Sequence, residues 1–279
     1  MTSSLPLACR PKEVSFPDPV LEASIRRIIN IPEGPIFPEQ LQRIDSINIS
    51  GHEGTVTNLT GLEYCTNLKT IAIEAAQMSD LSPLSRLTNL TRLSLDNSKM
   101  SIDLSPLSYL INLEDLDISA NKVSDLSPLA SLTNLSYLDL VGNRQITDLS
   151  PLAALSKLYY LGLYRNRLDD LSPLASLTNL KTLHLYDNQI SELSSLASLT
   201  NLSKLSLFTN KVSDLSDLST LTNLQWLILE DNQVSDLSPI LSLPQLEFLM
   251  IGDNPLSKTS IDIYIPQLRE RGVRVDYYD

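Results

Sequence analysis

The chain has 279 residues, with 33 acidic against 21 basic side chains and a formal net charge of −12. That balance argues against a nucleic-acid-binding or anionic-membrane-binding footprint, since both need basic patches. No run of 18 apolar residues occurs, so no segment reads as a membrane span, and two cysteines, Cys9 and Cys65, make no disulfide framework.

Residues 1–15 read as a flexible lead-in, in which Leu5 to Cys9 has the look of a lipoprotein-signal end without its apolar core. Residues 16–43 read as a helical N-terminal cap. Asp18 precedes Pro19, an N-cap followed by proline at the first helical position. Leu21, Ile25, Ile28 and Ile29 make one apolar stripe. A second short helix is expected near Pro38, presenting Leu41. Together these elements shield the open end of the first strand.

Residues 44–254 repeat. The pattern L-x-x-L-x-L-x-x-N starts at Ile44, Leu68, Leu90, Leu113, Leu135, Leu158, Leu180, Leu202, Leu224 and Leu246, in steps of 22 to 24 residues. That period and pattern are the leucine-rich-repeat signature. In one repeat, Leu116 and Ile118 point inward from a short strand while Asp117 points out. Asn121 then turns the chain. Its counterparts Asn143, Asn166, Asn188, Asn210, Asn232 and Asn254 form a ladder that pairs buried backbone groups. The first three turns carry His52, Ala76 and Ser98 there, so the ladder is expected to be weaker, with His52 structural. Val123 and Leu126 return inward. Ser127-Pro128 reads as a helix start with serine as the cap, and Leu129 and Leu132 suit a single outer turn. Asp80, Asp103, Asp125, Asp148, Asp170, Asp214 and Asp236 recur at one position and read as a periodic edge. Cys65 takes a leucine slot and is expected to be a buried small hydrophobe. Extra residues near Lys99-Met100 and Arg144-Gln145 should bulge, and Ser195 and Asp217, standing in for proline, should loosen their turns.

Residues 255–279 read as a C-terminal cap. Ser257 is placed to cap a helix that Pro266 kinks or restarts, Gly272 ends it, and Val273 to Tyr277 alternates as a last strand. One repeat has no partner for its own apolar face, so the repeats must stack. The fold class is an α/β leucine-rich-repeat solenoid with a concave parallel sheet and short helical turns on its convex side.

Alternation also tells which residues leave the core. The third, fifth and seventh positions of the pattern line up as columns about 4.8 Å apart. These thirty positions hold seven of the fifteen aromatic residues, all on the last six strands. Tyr164, Tyr186 and Phe208 follow one another in a column, Trp226 and Phe248 form a second pair, and Asp96, Asp115, Asp117 and Asp139 make an acidic zone beside them. Large rings with few rotors suit a protein-binding surface. The expected partner-binding set is Tyr137, Asp139, Tyr160, Tyr164, His184, Tyr186, Phe208, Trp226, Ile228 and Phe248. Gly162 is expected to leave a dent that takes a partner side chain. His184 and Ser206 are column neighbours, but no orienting group or oxyanion-hole turn accompanies them, so no catalytic site is expected. No His or Cys pair has ligand spacing, so neither metal nor cofactor is expected.

The repeat N-x-I/V-x-D-L-S-P-L-A-x-L-T-N-L-x-x-L-x-L, as in Asn121 to Leu140 and Asn166 to Leu185, resembles those of the internalins and related bacterial surface proteins. The segment from Phe16 to Ala23 resembles the start of their N-terminal cap. The resemblance implies a right-handed solenoid with 3₁₀ turns outside. It also implies a non-enzymatic protein that recognises another protein on its concave face, often secreted or attached to the cell wall, and a bacterial surface adhesin is one such role. The exposed residues vary between members, so no contacts carry over. The sequence departs from the pattern in showing no export signal, wall-sorting tail or immunoglobulin-like domain, which leaves a cytoplasmic place open. Two alternatives stand beside the adhesin: an intracellular regulatory subunit of an enzyme such as a phosphatase, since similar repeats occur there, and a carbohydrate binder, since stacked rings beside carboxylates suit sugars. A monomer is expected.

Overall fold

The computed structural model describes residues 12–74, 76–95 and 101–278. The expectations for residues 1–11, Asp96, Ser98 and Lys99-Met100 lie outside the described residues. Among the described residues, eleven short strands form one sheet in strict chain order: β1 (Ser46–Ile49), β2 (Thr70–Ile73), β3 (Arg92–Ser94), β4 (Asp115–Asp117), β5 (Tyr137–Asp139), β6 (Tyr160–Gly162), β7 (Thr182–His184), β8 (Lys204–Ser206), β9 (Trp226–Ile228), β10 (Phe248–Met250) and β11 (Arg274–Asp276). Every pair is parallel and in register, Tyr137 opposite Tyr160 and Lys204 opposite Trp226 for example. A 3₁₀ turn such as Ser127–Ser131 lies on the far side of each repeat between its strands. The core runs through the stack: Leu138, Leu140, Leu149, Leu152 and Leu155 of one repeat are all buried. None of these repeats has an inward face that water could not reach if it stood alone, so burial comes from the neighbours above and below.

The asparagine ladder works as its chemistry dictates. Asn188 donates from Nδ2 to the carbonyls of Leu185 (2.9 Å) and Leu163 (3.1 Å), and its Oδ1 accepts from the N–H of Leu168 (3.1 Å). One amide thus pairs groups on two successive turns, and Asn143, Asn210, Asn232 and Asn254 repeat the arrangement. Ala76 is buried at the ladder position of an earlier turn. His52 is exposed there, so it does not pair buried backbone groups as the ladder asparagines do.

Other expectations need correction. Serine does not cap the outer turns. The preceding aspartate does: Asp148 Oδ1 accepts from the N–H of Ser150 at 2.8 Å and its Oδ2 from the Ser150 hydroxyl at 3.0 Å. The same contacts recur at Asp125, Asp170, Asp214 and Asp236. An aspartate side chain mimics a backbone turn two residues on, which a serine does more weakly. The turns Ser194–Ser198 and Ser216–Thr220, without proline, keep the five-residue length of the others. Neighbours on both sides set that length, and proline only favours it.

At the N-terminal end, α1 (Pro19–Ile29) starts on Asp18, whose Oδ1 accepts from the N–H groups of Val20 and Leu21. Its Oδ2 takes the N–H and hydroxyl of Thr57, which pins the helix to the first repeat. Leu21 and Ile25 are buried, but Ile28 is exposed: it falls off the edge of the expected stripe. The short helix α2 (Pro38–Leu41) buries Leu41. At the other end, Ser257 Oγ accepts from the N–H of Ser260. A π-helical turn, Ser260–Tyr264, leads into α3 (Ile265–Glu270) just ahead of Pro266, which cannot donate to a regular helical bond. Gly272 ends the helix with φ of 90°, and β11 pairs with β10. Cys65 is fully buried, and burial pushes its thiol up to about 12. Among the described residues no helix is long and apolar enough to cross a membrane.

Candidate functional site: an aromatic strip on the concave sheet

Parallel register brings equivalent side chains face to face. Tyr137 and Tyr160 stack with centroids 4.3 Å apart and planes 7° from parallel. Tyr164 and Tyr186 stack at 4.0 Å and 15°, and Phe208 continues that column 6.2 Å from Tyr186. Trp226 and Phe248 are 5.0 Å apart. His184 joins the two columns, its ring edge-on to Tyr160 at 5.6 Å. The seven rings therefore do gather on one face, as the alternation predicts. Trp226 is 44% exposed and Phe248 only 9%. Phe248 is covered by Trp226 and by Arg274, whose guanidinium lies 5.4 Å from its ring centre, so it backs the surface more than it presents one. Lys204 lies over Trp226 at 5.6 Å, and Ile228 is half-buried between them and the seventh-position column.

Gly162 leaves no dent. A Cβ built there would sit 2.7 Å from Asp139 Oδ1. The carboxylate of Asp139 fills the space beside the bare backbone. It accepts the N–H of Val141 at 3.0 Å and faces the hydroxyls of Tyr137 and Tyr160. Burial pushes Asp139 up to about 6, against the Val141 bond and with Asp117 adding to the rise. Burial, then the charge of Asp139, pushes Tyr137 up to about 12 and Tyr160 higher. Burial, then Lys204, holds His184 below the usual imidazole value.

The acidic zone is also largely occupied internally. Asp115 pairs with Arg92 at 2.8 Å, and Asp117 Oδ1 accepts the N–H of Ser119 at 3.0 Å. Ser206 is buried opposite His184. Among the described residues no three His, Cys, Asp or Glu side chains converge as a metal site. Two contributors escaped the column reading. Arg274 belongs to a strand outside the repeat pattern. Tyr278 packs over Gly252, and its hydroxyl donates to Glu230, so it extends the seventh-position column from beyond the last strand.

A family model for leucine-rich repeats in pairs matches residues 88–131, 111–154, 133–176, 178–220 and 222–264. An internalin (InlF) from Listeria monocytogenes is 30% identical with a TM-score of 0.74, over 98% of this chain and 95% of that one. The chain belongs to the internalin-like leucine-rich-repeat proteins of bacteria. A second Listeria monocytogenes structure, internalin C2, is 33% identical to this internalin-like chain with a TM-score of 0.65, over 85% and 94% of the two. A leucine-rich-repeat protein of Leptospira interrogans shares the fold at 22% identity and a TM-score of 0.67, over 85% and 73%. No curated protein matches the internalin-like chain. Its fold is in general a protein-interaction scaffold and typically not that of an enzyme.

Proposed function

We propose that this chain is a non-enzymatic binding module that holds a protein partner on the C-terminal half of its concave face, as a bacterial surface adhesin. The observation that carries the reading is the strip of rings pre-stacked on neighbouring strands, Tyr137–Tyr160, Tyr164–Tyr186–Phe208 and Trp226–Phe248. Rings already in contact lose little freedom on binding, so their burial under a partner is mostly gain. The partner's contacts fall on Tyr137, Tyr160, Tyr164, His184, Tyr186, Phe208, Trp226 and Ile228, with Asp139 and Phe248 supporting from beneath. The likeness to internalins supports a place outside the bacterial cell.

The test starts with capture of a partner from host-cell extract on the immobilised chain and its identification by mass spectrometry. Replacing Tyr164, Tyr186 and Phe208 together by alanine should then weaken the purified pair by at least about 3 kcal/mol, the sum expected of a central aromatic cluster. Undiminished affinity in a variant with native circular dichroism would remove the strip as the binding site.

A further inference from the structure

The extra residue at Arg144 does more than lengthen a turn. In a chain so rich in acid, four cations, Lys122, Arg144, Arg165 and Arg167, gather on three successive repeats along the rim where the asparagine ladder ends, and all four are exposed. The backbone puts them there. In the regular repeats one left-handed residue precedes the ladder asparagine, as Arg165 does at φ of 56°. In the longer repeat Gly142 (φ 71°) takes that place and Arg144 (φ 58°) adds a second left-handed residue after Asn143. Arg144 is held by its N–H, which reaches Asn166 Oδ1 at 3.1 Å and the carbonyl of Arg165 at 3.3 Å.

The result is a rim hollow of about 540 Å³ walled by Lys122, Gly142, Arg144, Gln145 and Arg165. A smaller one of about 230 Å³ lies on the far side of Arg165, walled by Arg144, Arg167 and Asp187. Like charges placed this close repel. Among the described residues only Arg165 of the four has an ion pair, with Asp187 at 3.8 Å. Guanidinium groups present forked donors that match carboxylates. Arg165, in the wall of the hollow, directly follows Tyr164, and its charge acts on the Tyr186 hydroxyl of the Tyr164–Tyr186 stack.

We infer that this rim hollow is an anion-binding site that takes carboxylate side chains from an acidic segment of the protein partner. The inference rests on the concave strip being the partner's seat, since the hollow adjoins it. An acidic peptide suits it better than a polyanionic glycan. Three repeats span only about 10 Å at the strand spacing, the length of a few residues of extended peptide. The chain around them carries a net charge of −12, which repels a long polyanion more than a few glutamates.

The probe is acetyl-tetraglutamate amide, titrated into the isotopically labelled chain at low salt, with acetyl-tetraglutamine amide and a heparin hexasaccharide as parallel arms. The glutamate peptide should shift the amide signals of Gly142, Arg144 and Arg165 saturably, and the glutamine peptide should not. Affinity should fall about tenfold in Arg144→Glu/Arg165→Glu, which leaves the core intact, and fall again on raising salt from ~50 to ~200 mM. Three results would overturn the assignment: no saturable shifts at the hollow, equal affinity in the variant, or tighter binding of the hexasaccharide at the same residues, which would make it a glycan site. None of these readouts involves the captured partner. Loss of the aromatic-strip reading would show instead as retained partner binding after ring removal.

Discussion

Asp139 and Asp18 are both drawn out of water, yet their carboxyls move in opposite directions. Asp139 is pushed up by burial, to about 6, because the groups around it compensate only in part. For Asp18 burial also raises the value, but bonds from Leu21, Thr57 and Val20 outweigh it and hold the carboxyl below its ordinary range. The consequences for stability carry opposite signs. With a folded value above the unfolded one, the native state binds more protons, so the Asp139 contribution weakens as pH rises from about 4 to about 6. Asp139→Asn should remove that dependence, seen as a flatter curve of melting temperature against pH, worth up to about 3 kcal/mol across a window of about two pH units. For Asp18 the folded value lies below the unfolded one, so its contribution is present above the unfolded value and lost as pH falls through the folded value. Asp18→Ala should cost about 2 kcal/mol at neutral pH by urea denaturation, from the lost cap and the lost tie to Thr57. At Gly162, leucine would collide with the Asp139 carboxylate. Gly162→Leu is therefore expected to lower stability by about 1–3 kcal/mol through overpacking, measured by thermal denaturation, and so to weaken partner binding through a damaged surface and not by filling a dent.

At the scale of the element, each repeat is a strand, a ladder asparagine, an aspartate-capped outer turn and the leucines between them. The asparagine matters most because it alone pairs buried groups of two turns at once. Asn188→Ala leaves the Leu168 N–H and the Leu163 and Leu185 carbonyls without that partner. A loss of about 2–4 kcal/mol is expected, with faster amide hydrogen exchange at Leu168 as the local readout. The outer-turn aspartates are exposed, and their bonds compete with water. Much of the recurring pattern was legible from residue order, since a leucine at a fixed offset has one way to be buried. The capping partner was misread because serine and aspartate are both good caps, and two residues of spacing decide which of them reaches the free N–H.

Across the described residues, strand and turn contacts run between neighbouring repeats, with Tyr278 reaching past one repeat to Glu230, and the two ends are closed by α1 at one side and by α3 and β11 at the other. The long acidic chain carries two unlike features on its C-terminal and middle repeats: the ring strip on the concave sheet and the cationic rim beside it. Stability in such a stack is a sum of repeat and interface terms. A core change such as Leu183→Ala, about 3 kcal/mol, should therefore raise hydrogen exchange first in the adjoining β6 and β8 and leave β1 and β2 little affected. Uniform acceleration through all eleven strands would contradict a nearest-neighbour stack.

Residue order alone determined the repeat length, the inward leucines, the ladder and the columns that face out, because a period of 22 residues allows one stacking register. It also determined that the aromatic rings fall on the same side, since alternation along a strand is a property of the backbone. Only the tertiary structure decided what fills the space between neighbouring columns. Asp139 leans across to the bare backbone of Gly162 under two tyrosine hydroxyls, Arg274 and Tyr278 reach the strip from outside the repeats, and one inserted residue turns Arg144 toward Arg165. Each of these is set by where a side chain finds room beside another turn of the stack, about 22 residues or more away in the chain.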